Sequence, residues 1–213
     1  MDIVKNFSWN FFLVFIIILL IPNNGSFGSD VNELKKIQSY LNEIHTLEAN
    51  ILQTDPDGNE TLGTIKLKKP GKLRIEYDSE YANHLIVASD GFLAIIDFES
   101  NAEPLRYPTN ETPLKYLSNN DIDLLNPEIY SQIYISENLI NLEISEVRKS
   151  LGLGNIILKF KKDPISIIGW EIPINSSQKT TITLKNLRIN SKLKDELFFI
   201  SAELMKFYNK IDK

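Results

Sequence analysis

Few residues of this chain are equipped for covalent chemistry, and their spacing does not assemble a reaction. The two histidines are His45, inside an apolar-periodic segment, and His84, at the start of an alternating one. Both positions suit structural or surface roles better than proton transfer or metal ligation. No Gly-x-Ser-x-Gly elbow, His-Glu-x-x-His pair or phosphate loop occurs. Asp55, Asp57 and Asn59 mimic a calcium loop, but Gly58 arrives two positions early for an EF-hand, so Asp-Pro-Asp-Gly reads as a hairpin turn. Asp121 and Asp123 read as solvated charges at a helix start rather than an acid and its base. The expectation is a protein that is not an enzyme and takes no cofactor or metal.

The chemistry that remains is the covering of apolar surface. Ile65 and Leu67 alternate with Lys66 and Lys68, and Leu73, Ile75 and Tyr77 alternate with Arg74, Glu76 and Asp78. That period of two describes strands with one apolar and one wet face, joined at a Lys69-Pro70-Gly71 break where ladder pairing stops. Lys66, Lys68, Lys69, Lys72 and Arg74 form a basic cluster around the break. Two readings stay open for it: an outer face kept soluble and guarded against edge pairing, or a dock for an acidic partner or lid. A net charge of −5 and the lack of long basic or aromatic-rich basic runs argue against nucleic acid.

Phe11 to Ile21 is an unbroken apolar run followed by Pro22 to Ser29, with small Ser26 and Gly28 at the minus-three and minus-one spacing of a signal peptidase site. Residues 1–28 are therefore expected to be a signal peptide and 29–213 the mature domain in the periplasm. An uncleaved anchor is the alternative, although a span wants about 18 or more apolar residues. No cysteine occurs anywhere, so the expected mature chain carries neither a lipid anchor nor disulfides. About 185 residues suit one soluble domain that is stable through its core alone.

Val31, Leu34, Ile37, Leu41, Ile44 and Leu47 recur at three- and four-residue spacing, predicting an amphipathic helix over 30–47 capped by Asp30 or Ser29. Alternation then predicts strands over 49–54, 64–69, 73–78, 84–89, 92–98, 104–107, 133–136, 139–147, 155–161, 165–171 and 180–190. Turns fall at 55–58, 89–91, 152–154 and 175–177. So many consecutive strands form one antiparallel sheet that must curl. The alternation stops between Thr109 and Gln132. There Thr112-Pro113-Leu114 predicts a helix start carrying Leu114 and Leu117, and a second short helix is expected from Asp121 or Asp123 to Tyr130, broken at Pro127. Helices that short need the apolar sheet face beneath them, which is the position of a lid.

Four stretches in this order resemble the LolA family of periplasmic lipoprotein carriers, in its alphaproteobacterial form. They are Leu-Glu-Ala-Asn-Ile-Leu-Gln at 47–53, Gly-Thr-Ile-Lys-Leu-Lys-Lys-Pro-Gly-Lys-Leu-Arg-Ile-Glu-Tyr-Asp at 63–78, Leu-Ile-Val-Ala-Ser-Asp-Gly at 85–91 and Thr-Pro-Leu at 112–114. The resemblance covers nearly all of the mature chain and fades after Asn190. It implies a mainly β fold, an unclosed antiparallel half-barrel whose apolar concave face is covered by an N-terminal helix and an inserted helical lid. It implies shuttling of acylated lipoproteins from an inner-membrane ABC exporter to an outer-membrane acceptor, by a monomer. Position by position, Leu41, Leu73, Ile75, Leu114 and Leu117 match residues that line or close the family's cavity, and Tyr77 shares the face of Leu73 and Ile75. Lys69 stands where the family usually has an Arg that latches the lid through lid-helix carbonyls; an ammonium offers fewer donors than a guanidinium fork. A continuous apolar cavity between these elements is expected. Two rivals remain: a carrier of free lipid or glycolipid or an envelope sensor on the same fold, and a structural module whose concavity is filled by its own side chains.

Overall fold

The computed structural model describes residues 27–78, 84–146 and 155–211. Helix α1 (Phe27–Glu43) leads into β1 (Thr46–Thr54), β2 (Glu60–Lys68), β3 (Lys72–Tyr77), β4 (His84–Ser89), β5 (Phe92–Asp97) and β6 (Leu105–Pro108). A segment containing one helical turn, α2 (Lys115–Ser118), follows. Strands β7 (Ile129–Ser136), β8 (Leu139–Glu146), β9 (Ile156–Lys162), β10 (Ile165–Pro173) and β11 (Lys179–Ile189) and a C-terminal helix α3 (Ile200–Ile211) complete the chain.

The strands make one antiparallel sheet in the order β6-β5-β4-β3-β2-β1-β11-β10-β9-β8-β7. The chain meanders outward from β1 to one edge, crosses to the opposite edge, and meanders back until β11 pairs with β1. Strands β6 and β7, adjacent in sequence, are thus the two edges of an unclosed half-barrel. The 109–128 connection between them has to traverse the open side, which is why the lid is inserted at this point of the chain.

Alternation decides the faces. Leu47, Ala49 and Ile51 on β1, Ile65 and Leu67 on β2, and Leu73 and Ile75 on β3 are buried in one cluster with Ile37, Leu41 and Ile44 of the α1 segment. On β10 a bulge between Ile167 and Gly169 brings Ile167 and Trp170 into this same cluster despite their odd spacing. Gly169 has φ +153°, and a Cβ there would lie 2.1 Å from the Ile182 carbonyl oxygen, so the bulge requires glycine.

Helix α1 is shifted relative to the expected 30–47. It starts at Phe27, which places Asp30 within the first turn instead of at the cap, and stops at Glu43. The stop is tertiary. Asn190, at φ +58°, donates from Nδ2 to the Glu43 carbonyl and accepts from the His45 amide, while its own N–H donates to the Thr46 carbonyl. Leu47 consequently belongs to β1, yet it stays in the core.

The expected helix over Asp121–Tyr130 does not form. Asp123 Oδ1 accepts from the Leu125 amide and Asn126 Oδ1 from the Glu128 amide, local turns that compete with helix, and Ile129 and Tyr130 already pair in β7. Other strand bounds move by a few residues, most at β2 and β7, which start at Glu60 and Ile129. Of the expected leader, residues 1–26 lie outside the described residues, as do the turn at 152–154 and Val147.

Helix α3 was not foreseen. It covers the outer face of β4 and β5, burying Leu204 and Phe207 against Leu85, Val87, Ala94 and Ile96 in a second cluster. No helix of the described residues is long and apolar enough to cross a membrane.

Candidate functional site

The six expected cavity residues come together. Leu41, Leu73, Ile75 and Leu117 are buried in the concave-face cluster, and Tyr77 and Leu114 pack at its margin. Tyr77 donates to Gln53 Oε1 at 2.6 Å, and burial pushes its phenol up to about 12. Helix α2 starts two residues later than expected, with Leu114 at the cap position, and inserts Leu117 opposite Leu41.

Between Leu41 and Leu117 the space is smaller than the expected cavity. Leu41, Ile44, Leu47, Ile65, Leu67, Leu117, Ile167 and Trp170 leave a void of only about 10 Å³. That is room for one water, not an acyl chain. Around these eight residues the concave face is closed by its own side chains, so access to it there depends on what holds α1 and the lid in place.

Polar contacts hold both. Asn42 on α1 donates from Nδ2 to the Ile122 carbonyl at 3.0 Å and accepts from the Ile122 amide at 2.9 Å, while Gln38 Oε1 accepts from the Leu124 amide at 2.9 Å. These carboxamides tie 122–124 to α1 while Ile122 and Leu124 reach the core. Lys115 of α2 is ion-paired to Glu146 at the end of β8. Sequence reasoning missed Gln38 and Asn42. The available signal was their spacing of four beside the apolar Ile37 and Leu41, which puts two amides on one flank of the buried stripe.

Lys69 is 9% exposed, and Nζ donates to the Leu41 carbonyl at 2.7 Å. Among the described residues its hydrogen bond thus goes to the last turn of α1 and not to α2. The α2 carbonyl at Ser118 is instead met by the Gly71 amide at 2.8 Å. Burial lowers the Lys69 pKa to about 8 against the opposing pull of Asp121.

The rest of the basic cluster meets an acidic partner in the same chain. Lys68 and Lys72 pair with Asp195 at 2.9 and 2.5 Å. Arg74, on the outer face as alternation requires, donates to the Leu197 carbonyl and to Glu203 of α3. Burial opposes the charge on Arg74, but Glu76 and Glu203 outweigh it and raise its pKa. His45 is exposed, and His84 lies on the outlying β4 with Nε2 3.3 Å from Asp97. Among the described residues no group of three or more histidines and carboxylates comes together to hold a metal.

The family model described as "Outer membrane lipoprotein carrier protein LolA" matches residues 42–201. An outer-membrane lipoprotein carrier protein of Methylococcus capsulatus is 26% identical over 174 residues, covering 78% of this chain and 82% of that protein. Similar solved structures include a LolA superfamily protein from Nitrosomonas europaea, with TM-score 0.43, 10% identity and coverage of 79% of this chain and 98% of the other. Another is a domain described as a putative outer membrane lipoprotein-sorting protein from Vibrio parahaemolyticus, with TM-score 0.44, 10% identity and coverage of 80% and 96%.

Proposed function

Because this chain belongs to the LolA family, we propose that it is a periplasmic carrier, not an enzyme, that binds lipoprotein acyl chains on its concave face. Residues 1–28 direct export, and 29–213 form the carrier, which takes cargo from an inner-membrane ABC exporter and hands it to an outer-membrane acceptor as a monomer. Leu41, Leu73, Ile75, Tyr77, Leu114 and Leu117 contact the chains once the lid is displaced, and Lys69 helps return α1 to the closed position.

The observation that carries this reading is the covering of a wide apolar face by separable pieces. An open sheet whose core continues under a single helix and a lid of one helical turn can expose that core without breaking a strand pair. Magnitudes decide whether cargo can do the opening. Exposing Tyr116, Leu117, Ile122 and Leu124 costs roughly 8 kcal/mol at about 2 kcal/mol each. Burying one 16-carbon chain returns about 12 kcal/mol, so two or three chains outweigh the closed lid. With two or three chains bound the surplus is roughly 16–28 kcal/mol, so release needs a partner surface that buries the same chains in turn, which requires no nucleotide.

The tight packing around Leu41, Leu117 and Trp170 favours one rival, a structural module that never opens. A transfer assay separates them. With labelled lipoprotein in inner-membrane vesicles and outer-membrane vesicles as acceptor, the carrier speeds delivery in proportion to its concentration. A module leaves delivery at the rate without protein, and transfer of labelled phospholipid but not lipoprotein identifies a lipid carrier.

A further inference from the structure

A second cavity, of about 560 Å³, lies beside the lid, with charged side chains set among apolar ones in its wall. Asp121 and Asp123 of the lid segment, Glu128 ahead of β7 and Glu146 at the end of β8 line it, against the single ammonium of Lys115. Lys115 is already paired with Glu146. Among the described residues Glu128 has no ion pair, and the Asp123 carboxylate accepts only from the Leu125 amide. Tyr116, 5% exposed, also lines the cleft, and its hydroxyl is buried without a hydrogen-bond partner. Burial, with a smaller contribution from the Glu146 carboxylate, pushes the phenol up to about 12. An orphaned phenol can donate to a peptide carbonyl and accept from an ammonium. With surplus carboxylates around it, the cleft is built for a cationic peptide, not for an anion.

Its place says which peptide. Tyr116 and Leu117 are successive residues of α2, one on the cleft wall and the other at the interior void. A polypeptide whose acyl chains lie under the lid must leave alongside α2. We infer that this cleft binds the cargo's peptide segment next to its acylated residue and selects lysine- or arginine-bearing segments. The inference rests on the carrier reading and adds a charge preference to it.

The probes are two synthetic tripalmitoylated peptides, Cys-Ser followed by four lysines or by four glutamates, with a Cys-Ser-serine tail as neutral reference. Binding is followed by emission of Trp170, which is buried in the concave core. The lysine peptide is expected to bind about tenfold or more tightly than the glutamate peptide at low ionic strength, with the gap closing in 0.5 M salt. In an Asp123→Asn, Glu128→Gln double variant, both positions being exposed, the preference should collapse while the neutral peptide binds as before. Equal binding of the two charged peptides, or a preference unchanged in the variant, overturns the inference and leaves the carrier reading standing. If no acylated peptide binds, the carrier reading fails and this inference falls with it.

Discussion

Lys69 shows what one residue can and cannot announce. Its position before Pro70 marked it as a latch, but its partner, the Leu41 carbonyl, depends on where α1 ends. That end is fixed by Asn190, more than a hundred residues away in the chain, so no local pattern encodes it. The burial that directs the hydrogen bond also makes a testable pH signature. The folded pKa of about 8 lies below the 10.5 of an ordinary lysine, so between these values the unfolded chain binds more protons and stability rises with pH. Lys69→Met should abolish that rise, a difference from the parent on the order of 2 kcal/mol between pH 7.5 and 10. Urea unfolding of both proteins across this range checks it. Tyr77 and Tyr116, also pushed up by burial, act oppositely above pH 10 but are common to both chains and cancel in the difference. Parallel stability curves would show that Lys69 is already hydrated in the folded protein.

Elements divide by how local their causes are. The strands were legible because one buried face imposes a period of two, and the interruption after Thr109 marked where the lid is inserted. The 121–130 helix was misread because Asp123, Asn126 and Pro127 favour turns and because Asn42 and Gln38 supply partners that no spacing within the segment reveals. Helix α3 escaped because its apolar residues answer an outer-face patch on β4 and β5, in strands already explained by their inner faces. The basic cluster's acidic partner, Asp195 and Glu203, came from that same unread segment. The lid's dependence on α1 gives a second test. Asn42→Ala removes two hydrogen bonds to Ile122, each worth about 1 kcal/mol. Amide exchange at Ile122 and Leu124 should then quicken by about tenfold or more while β1 and β11 stay protected. Unchanged exchange at Ile122 would mean that apolar packing alone holds the lid.

For the whole molecule, one topological fact organises the rest. The sheet does not close, its edge strands are neighbours in sequence, and the segment joining them lies across the opening with α1. A closed barrel would need no such cover, and a flat sheet would give it nothing to enclose. The arrangement buries a concave core under two elements held by a few carboxamides, two lysines and one glycine amide. The family and the general architecture were readable in the four sequence stretches; the tight packing between Leu41, Leu117 and Trp170 was not, because packing density is a property of contacts between distant strands and not of any one segment. The central claim is that this interior opens for acyl chains of lipoproteins. The most direct measurement is detergent-free purification of the full chain from its native envelope, followed by mass spectrometry of the intact protein and of whatever it holds. The account predicts a complex with acylated protein, released when the lid is opened by solvent or acceptor membrane; a protein that comes away without any acylated polypeptide, or with phospholipid or glycolipid alone, contradicts it.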